Sequence, residues 1–581
     1  MALELFGLRR FGEALTSCDR AIALESNQAP AHVLRGNILR ALDRAEAALG
    51  SYDRALFIDP DIAEAYCNRA AALMRLDRIS DALAGVDRAI AIKPDYAEAH
   101  FHRGYLLRIF NQFDAAAAAY RTVAALAPSF EFLPGNRLEA NLQVCNWSEY
   151  DILVRQIAAG LEGDAHVSHP LILMALTDSL RLQYKVARTW ARFACPANGA
   201  LGPIAPRARP RRLTVGYFSA DFHEHPIGRL LPELIEIHDR SRFEVVAFSL
   251  GPSTPNEFRG RLVRAFDRFV GVRERSNIEI ASLARSLHVD IAVDLGGYAL
   301  GARPNIFALR AAPVQVSYLG YLGTMGSSYM DYIVADRTAV TPAGESYFSE
   351  KIIYMPDSHQ VNDRKRRIAD KVFTREELGL PAAGFVYCCF NTSYKISPAT
   401  FAGWMRILKT VPGSVLLLFA SHAATENNLR IYAGRHGIDP QRLVFGAHLP
   451  PAEYLARYRT ADLFLDTFPY NAGTTASDAL WAGLPVLSRT GESFASRIAA
   501  SLLTALDVTE LITSTQREYE QLAIELALNP QRLAQIRAKV RDNRLDSALF
   551  DTPRFARNLE AAFTAVYDRY VAGAAPDHIK L

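Results

Sequence analysis

"LFLDTFPYNAGTTASDALWAGLPVL", Leu463 to Leu487, decides how the larger part of this chain is read. Leu463, Phe464 and Leu465 form the unbroken apolar run of a strand buried on both faces. Pro469, Asn471 and Gly473 supply turn chemistry. Thr474 or Thr475 then stands where a helix cap belongs, and Gly483, Leu484 and Pro485 end the helix carrying Ala479, Leu480 and Trp481. Strand, loop and helix start in that order are the unit of a parallel α/β sheet, whose ligands gather at the carboxyl ends of the strands. A helix start presents unpaired N–H groups and about half a positive charge, so it favours phosphate. Two hydroxyls add donors, and Gly473 lets the backbone come close. Thr475 and Asp478 also have the spacing of a plain capping box, so the stretch alone reads equally as a phosphate cradle or a capped helix.

Working outward, the same alternation of short apolar runs and helix-length segments fills residues 213–488. Strands are expected at Leu213–Phe218, Phe243–Leu250, Ile291–Leu295, Val314–Leu319, Tyr332–Ala335 and Ile352–Met355. After a polar stretch at 357–375 they resume at Phe385–Phe390, Ser414–Phe419, Leu443–Gly446, Leu463–Asp466 and Pro485–Ser488. Two doubly wound α/β domains facing one another across a cleft are the expected architecture.

Three more loops fall at strand ends. In "FVYCCFNTSYKISPATF", 385–401, Ser397 and Pro398 open a helix and Lys395 sits just ahead of it. A lysine there is a natural counter-charge to a diphosphate, and equally a solvated loop residue. In "VGYFSADFHEHPIGRLL", 215–231, Asp221, His223, Glu224 and His225 cluster after the strand. A carboxylate beside a histidine is general-base material; the same residues also read as a metal site or as surface capping groups. "VDLGGYALGAR" and "SYLGYLGTMGSSYMDY" bring Gly296, Gly297, Gly320, Gly323 and Gly326 to strand ends, where tight turns explain glycine as well as a ligand does.

The first third is a repeat array. Pro60, Pro94 and Pro128 are spaced by 34 residues, as are Ala21, Ala55 and Ala89; Gly36, Ala70 and Gly104; and Tyr52, Val86 and Tyr120. That is the tetratricopeptide (TPR) period: two antiparallel helices, small residues where they cross, proline after the second. "AHVLRGNILRALDRAEAALGSYDRALFIDP" reads as one full repeat, and residues 1–27 as one lacking the start of its first helix. An array beginning there exposes an apolar end, so further repeats before Met1 or a neighbouring cap are expected. The repeats read either as a spacer or as a groove for a peptide. Residues 129–205 are less periodic, and "PANGALGPIAPRARPRR", 196–212, reads as a linker.

Bulk properties narrow the classes. At 581 residues, with about 100–200 residues per domain, three or more units are expected. A net charge of +3 is too small to argue for nucleic acid. The basic runs at Arg207–Arg212 and Arg364–Arg367 read as solvated linkers. Cys18, Cys67, Cys145, Cys195, Cys388 and Cys389 make no C-x-x-C pair, which is reduced, cytoplasmic usage rather than a disulfide or zinc framework. No run approaches ~20 apolar residues, so no membrane span is expected.

TPR repeats followed in fixed order by "LQVCNWSEYD", "VGYFSADFHEHP", "YLGYLGTMGSSYMDYI", "FNTSYKISP", "DTFPYNAGTTASDALWAGLPV", "GESFASRIAASLL" and "LFDTPRFARNLEAAFTAVYDRYVAGAAPDHI" closely resemble the O-GlcNAc transferase family in a bacterial form. Plant SPINDLY-like O-fucosyltransferases and bacterial N-glucosyltransferases share that superfamily. The resemblance implies TPR repeats at 1–128, a helical linker at 129–205, and a GT-B catalytic region of two Rossmann-like lobes. The lobes would be 206–375 on the acceptor side and 376–581, with a C-terminal helix, on the donor side. It implies an inverting, metal-independent transfer of GlcNAc from UDP-GlcNAc to Ser/Thr of proteins held along the repeats, with no cofactor. Lys395 matches the family lysine on the diphosphate; Thr474 and Thr475 match the phosphate threonines; Asp478 matches the acid on the ribose. His225 and Asp221 match the acceptor-side pair, and Arg457 an arginine near the uracil. Asn471 and Gly320 are expected on the donor as well.

The departures lie close to the sugar. Animal members have His where this chain has Gly473, Gln where it has Thr392, and a uracil-stacking His where it has Tyr454, which can itself stack. A ribose lysine is replaced by Pro451, and Leu322, Ile227 and Arg229 replace other loop residues. The large insert between lobes is absent. Of the asparagine ladder of the repeats only Asn68 remains, with Leu34 and His102 at the equivalent places.

Overall fold

The computed structural model describes residues 1–163 and 165–581. It forms two compact units, Met1–Asn141 with Arg155–Ile157, and Leu142–Val154 with Ala158–Leu581.

The first unit is helical. Helices Ala29–Ala41, Ala63–Arg75 and Ala97–Ile109 each pair with a following helix, Ala45–Ile58, Ile79–Ile92 and Phe113–Leu126. The prolines at 60, 94 and 128 stand two residues past the second helix of each pair, where their rings block continuation. Arg9, Asp43, Asp77 and Asn111 make the turns with φ of 57 to 58°. The small and large residues of the 34-residue period meet face to face. A Cβ at Gly36 would lie 2.4 Å from the Tyr52 ring, and one at Gly104 2.6 Å from the Tyr120 ring. The middle repeat fills the same crossing with Ala70 and Val86. Ion pairs repeat in step: Arg35–Asp19 at 2.7 Å, Arg69–Asp53 at 2.6 Å and Arg103–Asp87 at 2.7 Å. The boundary expected at residue 128 is corrected. Leu133 and Ala140 of the Leu133–Gln143 helix pack with Leu107, Tyr120 and Val123, so this helix covers the apolar end that the last repeat exposes.

The second unit holds two parallel sheets. The first contains β1 (Leu213–Ser219), β2 (Phe243–Ser249), β3 (Arg268–Gly271), β4 (Ile291–Asp294), β5 (Val314–Ser317), β6 (Tyr332–Asp336) and β7 (Lys351–Met355). The second contains β8 (Val386–Cys389), β9 (Val415–Phe419), β10 (Leu443–Gly446), β11 (Leu463–Leu465), β12 (Val486–Arg489) and β13 (Ile512–Thr513). A last strand, β14 (Ile579–Lys580), returns to the edge of the first sheet beside β7. The orders are β14-β7-β6-β5-β4-β1-β2-β3 and β10-β9-β8-β11-β12-β13. Each of the eleven expected strands is present with ends shifted by at most two residues. The three not expected, β3, β13 and β14, are short edge or terminal pairings with little apolar signal of their own.

Alternate residues of the first sheet face two cores. Phe218, Val246 and Ala292 lie on one side, and Val215, Tyr217, Val245 and Val293 on the other. The second core is closed by the C-terminal helix Thr552–Val571 through Phe555, Leu559, Phe563 and Val566. Each buried side chain of that size contributes about 1.5–3 kcal/mol. A buried chain of hydrogen bonds pins the same helix: Tyr217 Oη to His238 Nε2 at 2.9 Å, and His238 Nδ1 to Glu560 Oε1 at 2.9 Å. The expectation that the C-terminal helix completes the second lobe is therefore corrected. Residues 552–581 belong to the first, because their apolar face fills the gap over β5 and β7.

A buried cluster ties the lobes together. Asp336 at the end of β6 accepts from Ser501 Oγ (2.6 Å) in the second lobe, and its carboxylate lies 2.8 Å from Nδ1 of His359 in the connecting segment. The basic runs are solvated as expected at Arg209, Arg211, Arg212, Arg364, Lys365 and Arg367, with surface partners for several, and the expectation is corrected at Arg366. Arg207 bonds to Asp290, Arg209 pairs with Asp568 at 2.5 Å, and Arg212 donates to the Phe243 carbonyl at 2.9 Å. Arg364 and Lys365 pair with Glu233 and Glu236, each at 2.6 Å, and Arg366 is buried.

Candidate functional site: a phosphate cradle and a facing Asp–His pair

The loop after β11 is wound around one carboxylate. Asp466 Oδ1 accepts from the N–H groups of Thr467 and Ala472, both at 2.7 Å, and its Oδ2 accepts from Ser488 Oγ at 2.6 Å. Burial pushes this acid up to about 6. The helix that follows, Thr474–Trp481, has Gly473 at its N-cap and no side-chain cap. The capping-box alternative is thus overturned. Thr475 Oγ1 donates instead to Asn391 Oδ1, and Asp478 turns to Arg366 at 2.5 Å. The first N–H groups of the helix therefore carry no side-chain cap.

Lys395 comes from the loop after β8. Its ammonium donates to the Asn471 carbonyl at 3.0 Å and lies 3.7 Å from the centroid of the Tyr470 ring. Burial lowers its pKa to about 8, against the pull of Asp466. The solvated-loop alternative for Lys395 is overturned by these contacts, since the half-buried side chain is committed to the Asn471 carbonyl and the Tyr470 ring. The Asn471 side chain holds the loop, donating to the Thr467 carbonyl at 2.8 Å and the Arg489 carbonyl at 3.2 Å, so only its backbone meets Lys395. Thr392 is exposed and serves through its carbonyl, which accepts from the Lys395 N–H at 3.0 Å.

One helical turn further on, Asp478 is almost fully buried. Tyr454 and Arg457, from the Pro451–Arg457 helix, stand in the same neighbourhood. Tyr454 Oη bonds to Tyr458 Oη at 2.7 Å, and Tyr458 Oη donates to the Thr475 carbonyl at 3.2 Å. The Arg457 guanidinium lies 4.2 Å from the centroid of the Phe390 ring and donates to the Ala447 carbonyl at 2.8 Å; its Nε is buried without a partner. From the other lobe, the Arg229 guanidinium reaches to 6.0 Å from the Tyr454 ring centroid. The short helix after His225 is thereby brought to the same cleft as the cradle.

His225 caps that helix, Pro226–Leu230, its Nδ1 accepting from the Ile227 N–H at 3.4 Å. The same Nδ1 is 3.5 Å from Asp221 Oδ2, and His223 Nε2 is 3.8 Å from Asp221 Oδ1. Burial raises Asp221 to about 6; burial, with His223 and Arg229 nearby, lowers His225 to about 4. At neutral pH the pair is a carboxylate beside a neutral imidazole, the form that accepts a proton. Asp221, His223 and His225 do not converge as metal ligands; among the described residues the one cluster of three is Cys67, Glu98 and His102, in the repeats. Gly320 is explained by packing: a Cβ there would lie 1.9 Å from the Leu295 carbonyl oxygen. A Cβ there would also lie 3.4 Å from Ile227 Cδ1, beside the His225 helix.

Residues 203–372 and 367–559 match the sequence model of glycosyl transferase family 41. The chain belongs to glycosyl transferase family 41. Residues 36–77 and 67–129 match TPR repeat models. Among curated relatives, this family 41 chain is 32% identical over 459 residues to a probable UDP-N-acetylglucosamine–peptide N-acetylglucosaminyltransferase SEC of Arabidopsis thaliana, covering 75% of this chain and 47% of that one. It is 28% identical over 563 residues to the UDP-N-acetylglucosamine–peptide N-acetylglucosaminyltransferase of Caenorhabditis elegans, covering 75% and 49%. The chain thus spans about half the length of the curated relatives it matches. A solved structure of a Thermobaculum terrenum O-GlcNAc transferase mutant superposes with a TM-score of 0.67 at 26% identity, covering 94% of this chain and 98% of that one. The family 41 assignment rests on the region that holds both lobes and every site residue named above.

Several members of the site went unread in the sequence. Asn391 donates to Thr467 Oγ1 at 2.8 Å and receives Thr475, so it ties the lysine loop to the cradle. Asp294, at the end of β4, accepts from the Gly296 and Gly297 N–H groups at 2.9 and 3.0 Å, while its Oδ2 is buried without a partner. Burial raises it to about 6. An acid closing a buried strand is the signal that would have found both Asp294 and Asp466. Arg366 had no such signal, because a basic run in a polar stretch reads alike whether it is solvated or buried.

Proposed function

We propose that this chain transfers GlcNAc from UDP-GlcNAc to serine and threonine hydroxyls of proteins, with inversion and without a metal or cofactor. The observation that carries this reading is Lys395: a half-buried cation held against a loop that opens into an uncapped helix start. Such a site calls for an anion. In the proposed step an acceptor hydroxyl attacks the anomeric carbon, the new C–O bond forms as the bond to the β-phosphate breaks, and UDP leaves. Lys395, the Thr474 hydroxyl, the Thr475 hydroxyl once it turns from Asn391, and the helix N–H groups take the charge that develops on UDP, which is usually the largest catalytic term. Asp221 or His225 receives the acceptor proton. Tyr454 and Arg457 border the nucleobase, and Asp478 the ribose. Acceptor proteins lie along the repeats. The absence, among the described residues, of any helix long and apolar enough to cross a membrane fits a cytoplasmic protein.

The test incubates the chain with acceptor peptides and, separately, UDP-GlcNAc, UDP-glucose and GDP-fucose, and reads intact mass. A GlcNAc-sized increment with the first donor, lost in Lys395→Ala, is expected. Preference for GDP-fucose, or tight UDP binding with no transfer to any acceptor, would replace this reading.

A further inference from the structure

The segment joining the lobes, residues 356–367, runs along the Thr474–Trp481 helix from its cap to its last residue, meeting it at four points. Gln360 Oε1 lies 3.2 Å from where a Cβ would stand at Gly473. Asn362 Oδ1 accepts from Ser477 Oγ, Arg366 Nη1 lies 2.5 Å from Asp478 Oδ1, and Trp481 Nε1 donates to the Arg366 carbonyl at 3.2 Å. Positions 473, 477, 478 and 481 lie along one stripe of the helix, so the segment forms a wall of the cradle rather than a free tether.

Arg366 is the charged group in that wall. Its side chain is 7% exposed and that of Asp478 is 1% exposed. Among the described residues only one of its N–H donors has a hydrogen-bond partner, the Asp478 carboxylate. Its other donors are not among the buried atoms left without a partner, so they keep an opening to solvent through which a ligand can reach them. Its neighbours are Asp478, which raises its pKa, and Tyr454, which borders the proposed nucleobase position. Asp363 is a second acid acting on Arg366, while Arg457 and Arg229 act on the neighbouring Tyr454.

We infer that Arg366 is a donor-binding residue that grips the phosphate next to the ribose. Resting on the donor-site reading above, the inference gives Asp478 and Arg366 paired duties: the carboxylate accepts from a ribose hydroxyl while the guanidinium fork donates to the adjoining phosphate. Arginine suits this role because its planar fork matches phosphate oxygens, while lysine offers a point charge. The cradle then holds a nucleoside diphosphate from two sides, the distal phosphate by Lys395 and the helix start, the proximal one by the connecting segment.

Calorimetry of the full chain with UDP and with uridine tests this. Arg366→Met weakens UDP by about 10- to 100-fold, the range of a charge-assisted contact, and uridine by less than about threefold. Arg366→Lys gives an intermediate loss for UDP at an unchanged unfolding midpoint, and carries the test should the methionine variant fail to fold. UDP affinity unchanged in both variants overturns the inference. Equal losses for UDP and uridine overturn it too, since the residue would then act only by orienting Asp478. Failure of the unmodified chain to bind UDP at all would instead remove the donor-site reading on which the inference rests.

Discussion

Lys395 holds its charge against the dehydration of its pocket, with one carbonyl and the Tyr470 ring as partners. Replacing it with alanine is expected to weaken UDP by about 1.5–3 kcal/mol, read by calorimetry. The sign of the pH effect follows from its pKa near 8. Below that value the free protein already carries the cation; above it, binding a diphosphate requires taking up a proton. UDP affinity should therefore be flat below about pH 8 and fall by up to about tenfold per unit above it. Lys395→Met should abolish that limb. On the other lobe, Asp221 ionises only as pH rises through about 6, and His225 is already neutral there. Transfer should slow as pH falls through about 6, and the limb should vanish in Asp221→Asn if the carboxylate is the base. At this scale the sequence identified which residues gather but not what each one touches. The motif marks Asp478 as an acid for a ribose but not its partner Arg366, 112 positions away in a run indistinguishable from a solvated one. Gly473, the departure nearest the sugar, acquires a local reason, since Gln360 occupies the space beside it.

Helices and strands were the most legible level, because their periods are imposed by what they bury. The TPR crossings show how far that goes. Gly36 with Tyr52 and Gly104 with Tyr120 are matched in volume, and the middle repeat answers with Ala70 and Val86. Val86→Tyr alone should overpack that crossing and cost about 1–3 kcal/mol. Adding Ala70→Gly should recover part of the loss by making the pair seen in the flanking repeats. Urea unfolding of the two variants and the double variant gives the coupling directly. The ladder of Arg35, Arg69 and Arg103 on Asp19, Asp53 and Asp87 was equally periodic, but period alone could not tell an ion pair from two solvated faces. Edge strands such as β3 and β14 were missed because their pairing depends on a neighbour's free edge rather than on their own residues.

At the scale of the whole molecule, the destination of residues 552–581 is what the sequence reading misplaced. An amphipathic helix declares that it will cover something, not which sheet. The apolar row of Phe555, Leu559, Phe563 and Val566 fits the open core of the first lobe. Phe563→Ala should cost about 3–5 kcal/mol. It should also lower the unfolding midpoint of the first lobe more than that of the second, as hydrogen exchange of β1 and β4 against β8 and β9 would show.

That placement has a consequence for biosynthesis. When β7 has left the ribosome, the sheet of the first lobe has all its central strands but lacks the helix that closes one face, which is still roughly 200 residues away. At about 5–20 residues per second, that face stays open to water for on the order of 10–40 s while the second lobe is made. The nascent chain therefore exposes Val316, Ile353 and Met355 of β5 and β7 at the time when a holding chaperone is of most use to it.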